Sequence, residues 1–379
     1  MMRALFRCGS AFALLLLAVV PGNAHAQKPT VTIHARVDTS NAEVRAVLQL
    51  WKDYLTSKPD SLYDNPYWNA EEKLRLKNFD LSARHLYQFP AEQLLGYYQP
   101  TVLSVEKEGE HYGIRTLFSA DGLKGEYRNS NPWCITKLYA VREGDGWKLK
   151  NALPIITRNW LRTTVGRITF IHSPLDDFDS AAAEQAHKFC DSLAAEYGFP
   201  VWEPFEFYIT NSGDELGRLL NFDFFFPGFT TGMALRGERI LLSGMGSPFY
   251  PHEFVHLVAP HTERHAMIEE GFATWKGGTM GRDFGESAAL LAAELGRNDT
   301  LTLQDVLEKK WGWEVAAFYT TGAIFCEAAH ARGGVPAVLR LLDAPPDNAA
   351  FLNILADVLG IREDQLNAYW RQEVSTYAP

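Results

Sequence analysis

The segment Pro251-His-Glu-Phe-Val-His256 carries the residue types that a hydrolytic metal centre requires. His252 and His256 are four positions apart, which on a helix puts both imidazoles on one face, about one turn from each other and within reach of a single ion. Glu253 lies between them, offset around the helix, where its carboxylate can address a water on the open side of that ion. Pro251 suits a first helical turn, because its missing N–H leaves no hydrogen bond unmade there. Two ligands and a general base at this spacing form the pattern H-E-x-x-H, which chance alone would produce roughly 0.02 times in a chain of this composition. A catalytic zinc ion also needs a third protein ligand and one open position. The stretch from Pro248 to Trp275 offers His261, His265, Glu263, Glu269 and Glu270 for that role.

The elements that must position these residues belong to a chain of 379 residues, long enough for two ordinary domains. Its composition, 46% hydrophobic and 22% charged, is that of a soluble folded protein. The first 26 residues stand apart. Arg3 and Arg7 precede the apolar run Ala11 to Val20, and Ala24-His25-Ala26 follows, so residues 1–26 read as a secretory signal cleaved near Ala26. The protein is then expected to be exported, periplasmic or secreted. The apolar run is too short for a helix that spans a bilayer, and no second run of spanning length follows. Cleavage would remove two arginines and no acids, taking the formal charge from -10 to -12. A net-acidic chain without a basic block excludes nucleic acid as an expected partner. Three cysteines remain: Cys134, Cys190 and Cys326. They permit at most one disulfide, with Cys190 and Cys326 as one pairing, but read more simply as buried small hydrophobes.

Along the chain the expected fold class is α+β. After a leader at 27–40, Asn41 to Ser57 places Val44, Val47, Leu48, Trp51 and Leu55 at three- and four-residue steps, an amphipathic helix. A second helical piece around Ala70 to Leu81 precedes four strands, Gly96 to Val105, His111 to Phe118, Trp133 to Val141 and Trp147 to Leu153, the last two joined by an Asp-Gly hairpin. Residues 41–158 thus read as a small α+β docking or scaffold domain. A second domain, 159–379, is expected to hold a small mixed sheet followed by helices. Its sheet would include Val165 to Pro174, the segment EFYITNS, and two short strands around Arg236-Gly237. Asp176, Asp177 and Asp179 lack the spacing of a calcium loop, so capping of the next helix by Asp179 or Ser180 is the better account. Periodic apolar positions predict helices over Thr300 to Lys310, Phe318 to Arg332, Val335 to Leu342 and Ala349 to Leu359. The aromatic run Asn221 to Phe229 reads as core in preference to a substrate pocket. His261 and His265, flanking the break at Pro260, read as solvated.

Two resemblances refine this. Element order and the late GDGWKL hairpin give 41–158 a weak likeness to the cone-shaped fold of nuclear transport factor 2. The segment AMIEEGFATW reads as a helix after Pro260 and resembles the E-G-x-A segment of the gluzincins, the thermolysin-like zinc peptidases. There the glutamate before the glycine is the third ligand, which implies Glu270 and turns Glu269 elsewhere. A metzincin would have glycine at 259 and histidine at 262, where this chain has Ala259 and Thr262. The likeness extends over about 165–379 to the secreted peptidase MA-like gluzincins. FYTTGAIFCEAAHARGG resembles the Y-x-x-G helix of the aminopeptidase N relatives, whose tyrosine stabilises the oxyanion, and this implies Tyr319 for that role. Gly232, Met233 and Ala234 occupy the place of the edge strand that binds the substrate backbone. Aminopeptidases carry a glutamate shortly after that glycine to hold a free amino terminus, whereas this chain has Ala234 and Leu235. Thr274 stands where thermolysin has an aspartate that orients a ligand, so the partners of the ligand histidines stay open.

What these resemblances imply is an exported zinc peptidase, an endopeptidase before an aminopeptidase, with a peptide or protein as substrate. His252, His256 and Glu270 would hold Zn2+, Glu253 would be the base and Tyr319 the oxyanion donor. The alternatives are a zinc-retaining module that acts by binding, and a hydrolase of esters or amides using the same metal.

Overall fold

Asn41 starts the first long helix for a local reason. Its side-chain oxygen accepts hydrogen bonds from the backbone N–H groups of Glu43 (2.8 Å) and Val44 (3.3 Å), donors that the helix itself cannot satisfy. The helix, α1 (Ala42–Leu55), buries Val44, Val47, Leu48, Trp51, Tyr54 and Leu55. The computed structural model describes residues 30–57, 59, 64–76, 79–87, 90–120, 131–229, 231–260, 262–308 and 316–378. The expected export signal at 1–26, the start of the expected leader and His261 lie outside the described residues.

The chain is α+β, with two small mixed sheets. After the short helices α2 (Ala70–Arg75), α3 (Ala83–Leu86) and α4 (Ala91–Tyr97), a first sheet is built from β1 (Thr32–Ile33), β2 (Gln99–Glu108), β3 (His111–Ser119), β4 (Cys134–Glu143) and β5 (Gly146–Lys150), joined in that order. Gly144, at φ 58°, supplies the left-handed turn between β4 and β5. The helix α5 (Ala152–Ile156) and a single turn, Thr157–Asn159, lead to the second sheet. Where one strand was expected at Val165 to Pro174, the structure has a hairpin of β6 (Leu161–Val165) and β7 (Ile168–His172), turning at Gly166 with φ 58°. Next come α6 (Ser180–Tyr197), capped by Asp179 onto the Ala182 N–H at 3.0 Å, then β8 (Phe205–Ile209) and α7 (Gly213–Leu219). The strand β9 (Phe222–Phe225) leaves this region to pair with β4 in the first sheet. Finally β10 (Gly232–Leu235) and β11 (Ile240–Ser243) complete a second sheet of order β10-β11-β8-β7-β6, with β10 at one edge.

Alternation along these strands decides how the halves meet. Ile168, Phe170, Phe205, Phe207 and Leu241 face a helical core, whereas Ile171, Tyr208, Ile240 and Leu242 face the core of the first sheet. Both faces of the second sheet are therefore buried, each by a different set of elements. Arg75 reinforces the seam with hydrogen bonds to Glu206 (2.5 Å) and the Tyr208 hydroxyl (2.7 Å). The helical layer comprises α8 (Pro251–Val258), α9 (Ala266–Gly277), α10 (Phe284–Arg297), α11 (Leu303–Leu307), α12 (Ala317–Leu342), α13 (Asn348–Leu359) and α14 (Leu366–Ser375). The two helices expected at 318–332 and 335–342 are both present, as the two arms of α12 on either side of a kink at Gly334, where φ is 63° and ψ -154°. Cys134, Cys190 and Cys326 are all buried and unpaired, so no Cys190–Cys326 bridge forms. No helix among the described residues is long and apolar enough to cross a membrane.

The crossing of α9 and α12 sets the site. A Cβ on Gly271 would collide with the Gly322 backbone, and one on Gly322 with the Met267 carbonyl, so the two helices touch backbone to backbone. In an exposed helix, alanine in place of glycine stabilises by about 1 kcal/mol. At this crossing the sign reverses. Gly322→Ala is expected to cost at least about 2 kcal/mol through overpacking, read as a lower denaturant midpoint at unchanged slope. A stabilised variant would refute the close contact.

Candidate metal centre

Residues from α8 and α9 converge on one point. The Nε2 atoms of His252 and His256 lie 3.4 and 3.6 Å from Glu270 Oε2, and one ligand atom from each of the three residues falls within a set 4.8 Å across. Ligands at about 2.0 to 2.1 Å from a tetrahedral zinc are separated by ~3.3 Å, so both nitrogen-to-oxygen distances suit a shared ion. The local reasons are legible. Pro251 opens α8 at its first position, and the extended backbone of Ala259 before Pro260 closes it. His265 caps α9, its ring accepting from the Met267 N–H at 3.3 Å. A Cβ on Gly277 would strike the His252 backbone, so the end of α9 can lie against the first turn of α8 only with glycine there.

That approach orients His252. Its Nδ1 is 2.7 Å from the Gly278 carbonyl, which can only accept, so the proton sits on Nδ1 and Nε2 turns its lone pair to the ligand position. His256 has a different partner: Arg236 Nη2 lies 2.6 Å from its Nδ1. A guanidinium can only donate, so a neutral His256 held this way carries its proton on Nε2. Ligation through Nε2 requires the other tautomer, with Arg236 then keeping its ion pair with Glu269. The donor set of two imidazoles and one carboxylate, all beside a cleft, fits a zinc ion on these terms. Thr274 is fully buried, and its hydroxyl has no hydrogen-bond partner among the described residues, so it orients neither histidine.

Burial disfavours the charged form of Glu270, but the adjoining His256 and His252 outweigh it and hold the carboxyl far below its ordinary 4.5. Burial pushes His252 down, yet its hydrogen bond to Glu270 and the charges of Glu253 and Glu270 leave it above its ordinary 6.5. In the metal-free chain, Glu270 contributes stability that is present above pH 4.5 and lost as pH falls through its depressed value. His252 contributes stability that is present below pH 6.5 and lost as pH rises through its raised value. Glu270 and His252 together thus stabilise most between pH 4.5 and 6.5. Zinc must displace the His252 proton, so its affinity should fall about tenfold per unit as pH drops below 6.5, measured against a competing chelator. A flat profile would remove His252 from the ligand set.

The centre opens on a cleft of about 1200 Å³ lined by Glu253, Tyr319, and Gly232, Met233 and Ala234 of the edge strand β10. Glu253 is buried and has no hydrogen-bond partner among the described residues, leaving its carboxylate available to the cleft. The Tyr319 ring lies 6.2 Å from that of His252. Gly232 has no room for a side chain because the Tyr250 ring packs against it. Every site residue expected from the sequence and described by the structure thus borders one cavity. No family model and no curated protein matches this chain.

Two expectations need correction, and one residue was missed. His265 is buried, not solvated: it stacks on Phe351 with ring centroids 4.0 Å apart, and its Nε2 lies 2.8 Å from Asn348 Oδ1. A cap that must also pack against α13 cannot stay in water. The aromatic run at 221–229 serves both as core and as cleft wall, since Phe222 and Phe225 are buried while Phe225 and Phe229 also border the cavity. Arg236 was read only as part of a turn, and nothing in its local sequence points to His256, twenty residues on.

Proposed function

We propose that this protein is a zinc-dependent peptidase of the gluzincin type, whose first part carries a fold like nuclear transport factor 2. The observation that carries the reading is the convergence of His252, His256 and Glu270 beside an unpaired Glu253, at the wall of a cleft bordered by an edge strand. A zinc ion held by the trio would supply Lewis acidity to a water and to a substrate carbonyl. The chain's own residues do the rest. The backbone of β10 at Gly232, Met233 and Ala234 offers an extended peptide a strand to pair with. Glu253 takes a proton from the attacking water and returns it to the leaving amine. Tyr319 donates its hydroxyl proton to the oxygen that becomes negative in the transition state. Ala234 and Leu235 stand where an aminopeptidase needs a carboxylate for a free amino terminus, which favours cleavage within a chain.

The direct test is metal analysis of the purified protein together with digestion of a proteome-derived peptide mixture, with and without a chelator. One zinc per chain and chelator-sensitive cleavage at internal bonds are expected. A zinc-loaded protein that hydrolyses no peptide would give the site to binding, or to ester and amide substrates tested in parallel.

A further inference from the structure

The cleft has a wall that the first part of the chain supplies. Asp80, Leu81, Arg84 and His85, on and just before α3, border the same cavity as the metal ligands. Most charges on that cavity already have partners. Asp80 is buried and accepts hydrogen bonds from the hydroxyls of Tyr54 and Ser82. Asp283 caps α10, Lys276 pairs with Glu196 at 2.7 Å, and Arg236 pairs with Glu269. Glu253 and Glu270 belong to the centre itself. Arg84 and Arg282 differ from these: neither side chain makes an ion pair or hydrogen bond among the described residues, and of the two Arg84 is the exposed one and the one that the first part of the chain supplies.

Its neighbour in the chain, His85, is fixed in the wall of the cavity. The His85 ring lies among Phe222, Phe225 and Phe229, with centroids 5.2 to 6.1 Å away. Burial lowers His85 to about 4, so it is neutral and the positive charge in this corner comes from arginine. The strand β10 begins at Gly232 against Tyr250, at the start of α8, and ends at Leu235, after which Arg236 meets His256 at the far end of that helix. Burial depresses the basicity of Arg236 most, and the charges of Arg264 and Arg84 depress it further, against the attraction of Glu270 and Glu253. Arg84 and Arg236 border the same cavity as the strand β10. A chain with a formal charge of -10 repels acidic ligands as a whole, so an unpartnered cation in its cleft is a local reversal of sign.

We infer that Arg84, on the cavity that β10 borders, recognises an acidic side chain of a peptide laid along β10, so that the first part of the chain selects the substrate. The inference rests on the reading of the cleft as a peptide site. In an extended peptide every second side chain points the same way, so one residue at a fixed register from the scissile bond reaches Arg84. A guanidinium takes a carboxylate through paired N–H donors, which an uncharged amide of the same shape cannot match.

The test measures binding of short alanine-based peptides, in which a single glutamate or glutamine is moved along the chain, to the zinc-loaded full protein carrying Glu253→Gln so that no peptide is consumed. At one position glutamate should bind about tenfold tighter than glutamine. Adding Arg84→Ala should abolish that preference, and adding Arg84→Glu should make lysine preferred at the same position. Equal zinc content and thermal midpoint would show that these exposed replacements leave the fold intact. Absence of binding, absence of any position that prefers glutamate, or a preference that survives Arg84→Ala would overturn the inference. Hydrolysis of the same peptides by the unaltered protein reads the proposed activity separately. Preference without hydrolysis refutes the peptidase reading and keeps the Arg84 assignment, whereas hydrolysis without preference does the reverse.

Discussion

Glu253→Gln is expected to retain one zinc per chain and an unchanged thermal midpoint, while the rate of peptide hydrolysis falls by at least about 10²-fold, the usual loss when a general base is removed. The separation follows from geometry. The candidate metal position is defined by atoms of His252, His256 and Glu270, and Glu253, next to His252 in sequence, borders the cleft. Glutamine keeps the shape and burial of the side chain and removes only its ability to take a proton. Replacing a ligand acts at a different level. His252→Ala removes a ring held at both nitrogens, by Gly278 on one side and beside Glu270 on the other, and should release the metal itself. Zinc content and single-turnover rate on the two variants separate these effects. Unchanged hydrolysis by the zinc-loaded Glu253→Gln protein would sink the peptidase mechanism.

What the sequence could say about this centre depended on distance along the chain. His252, Glu253 and His256 share one helix, so their relation is fixed by the 3.6-residue period and is legible without a structure. Glu270 is on the next helix, and its selection over Glu269 came from a resemblance; the structure places Glu270 at the histidines and Glu269 on Arg236. Strands β2 to β5 were legible from alternation and from the Asp-Gly turn, but the strand expected from Gly96 took in Gly96 and Tyr97, the last two residues of α4. The return of β9 to the first sheet carried no local signal: a run of phenylalanines says that a segment is buried, not which sheet it joins. The glycines show the same limit. Gly271 and Gly322 were visible as parts of E-G-x-A and Y-x-x-G, and only the crossing of α9 and α12 supplies the physical reason for both.

That crossing also bears on Tyr319, for which Tyr319→Phe is expected to lower kcat by roughly 10²-fold with little change in KM. Tyr319 stands in the first turn of α12, three residues before Gly322, so the contact that locks α12 against α9 fixes its ring relative to Glu270. The ring borders the cleft 6.2 Å from that of His252 and 6.3 Å from that of Phe318, and phenylalanine keeps both contacts. Zinc content should therefore stay as it is. What disappears is one hydroxyl, and its effect depends on when it acts. A donor that meets the substrate oxygen only as negative charge develops is worth most in the transition state, so its loss appears in kcat. A donor that holds the ground-state peptide would raise KM instead, and a tyrosine that only packs would change neither. Steady-state kinetics of Tyr319→Phe on one internally cleaved peptide distinguish the three outcomes, and either of the last two would remove Tyr319 from the proposed mechanism while leaving Glu253 in it.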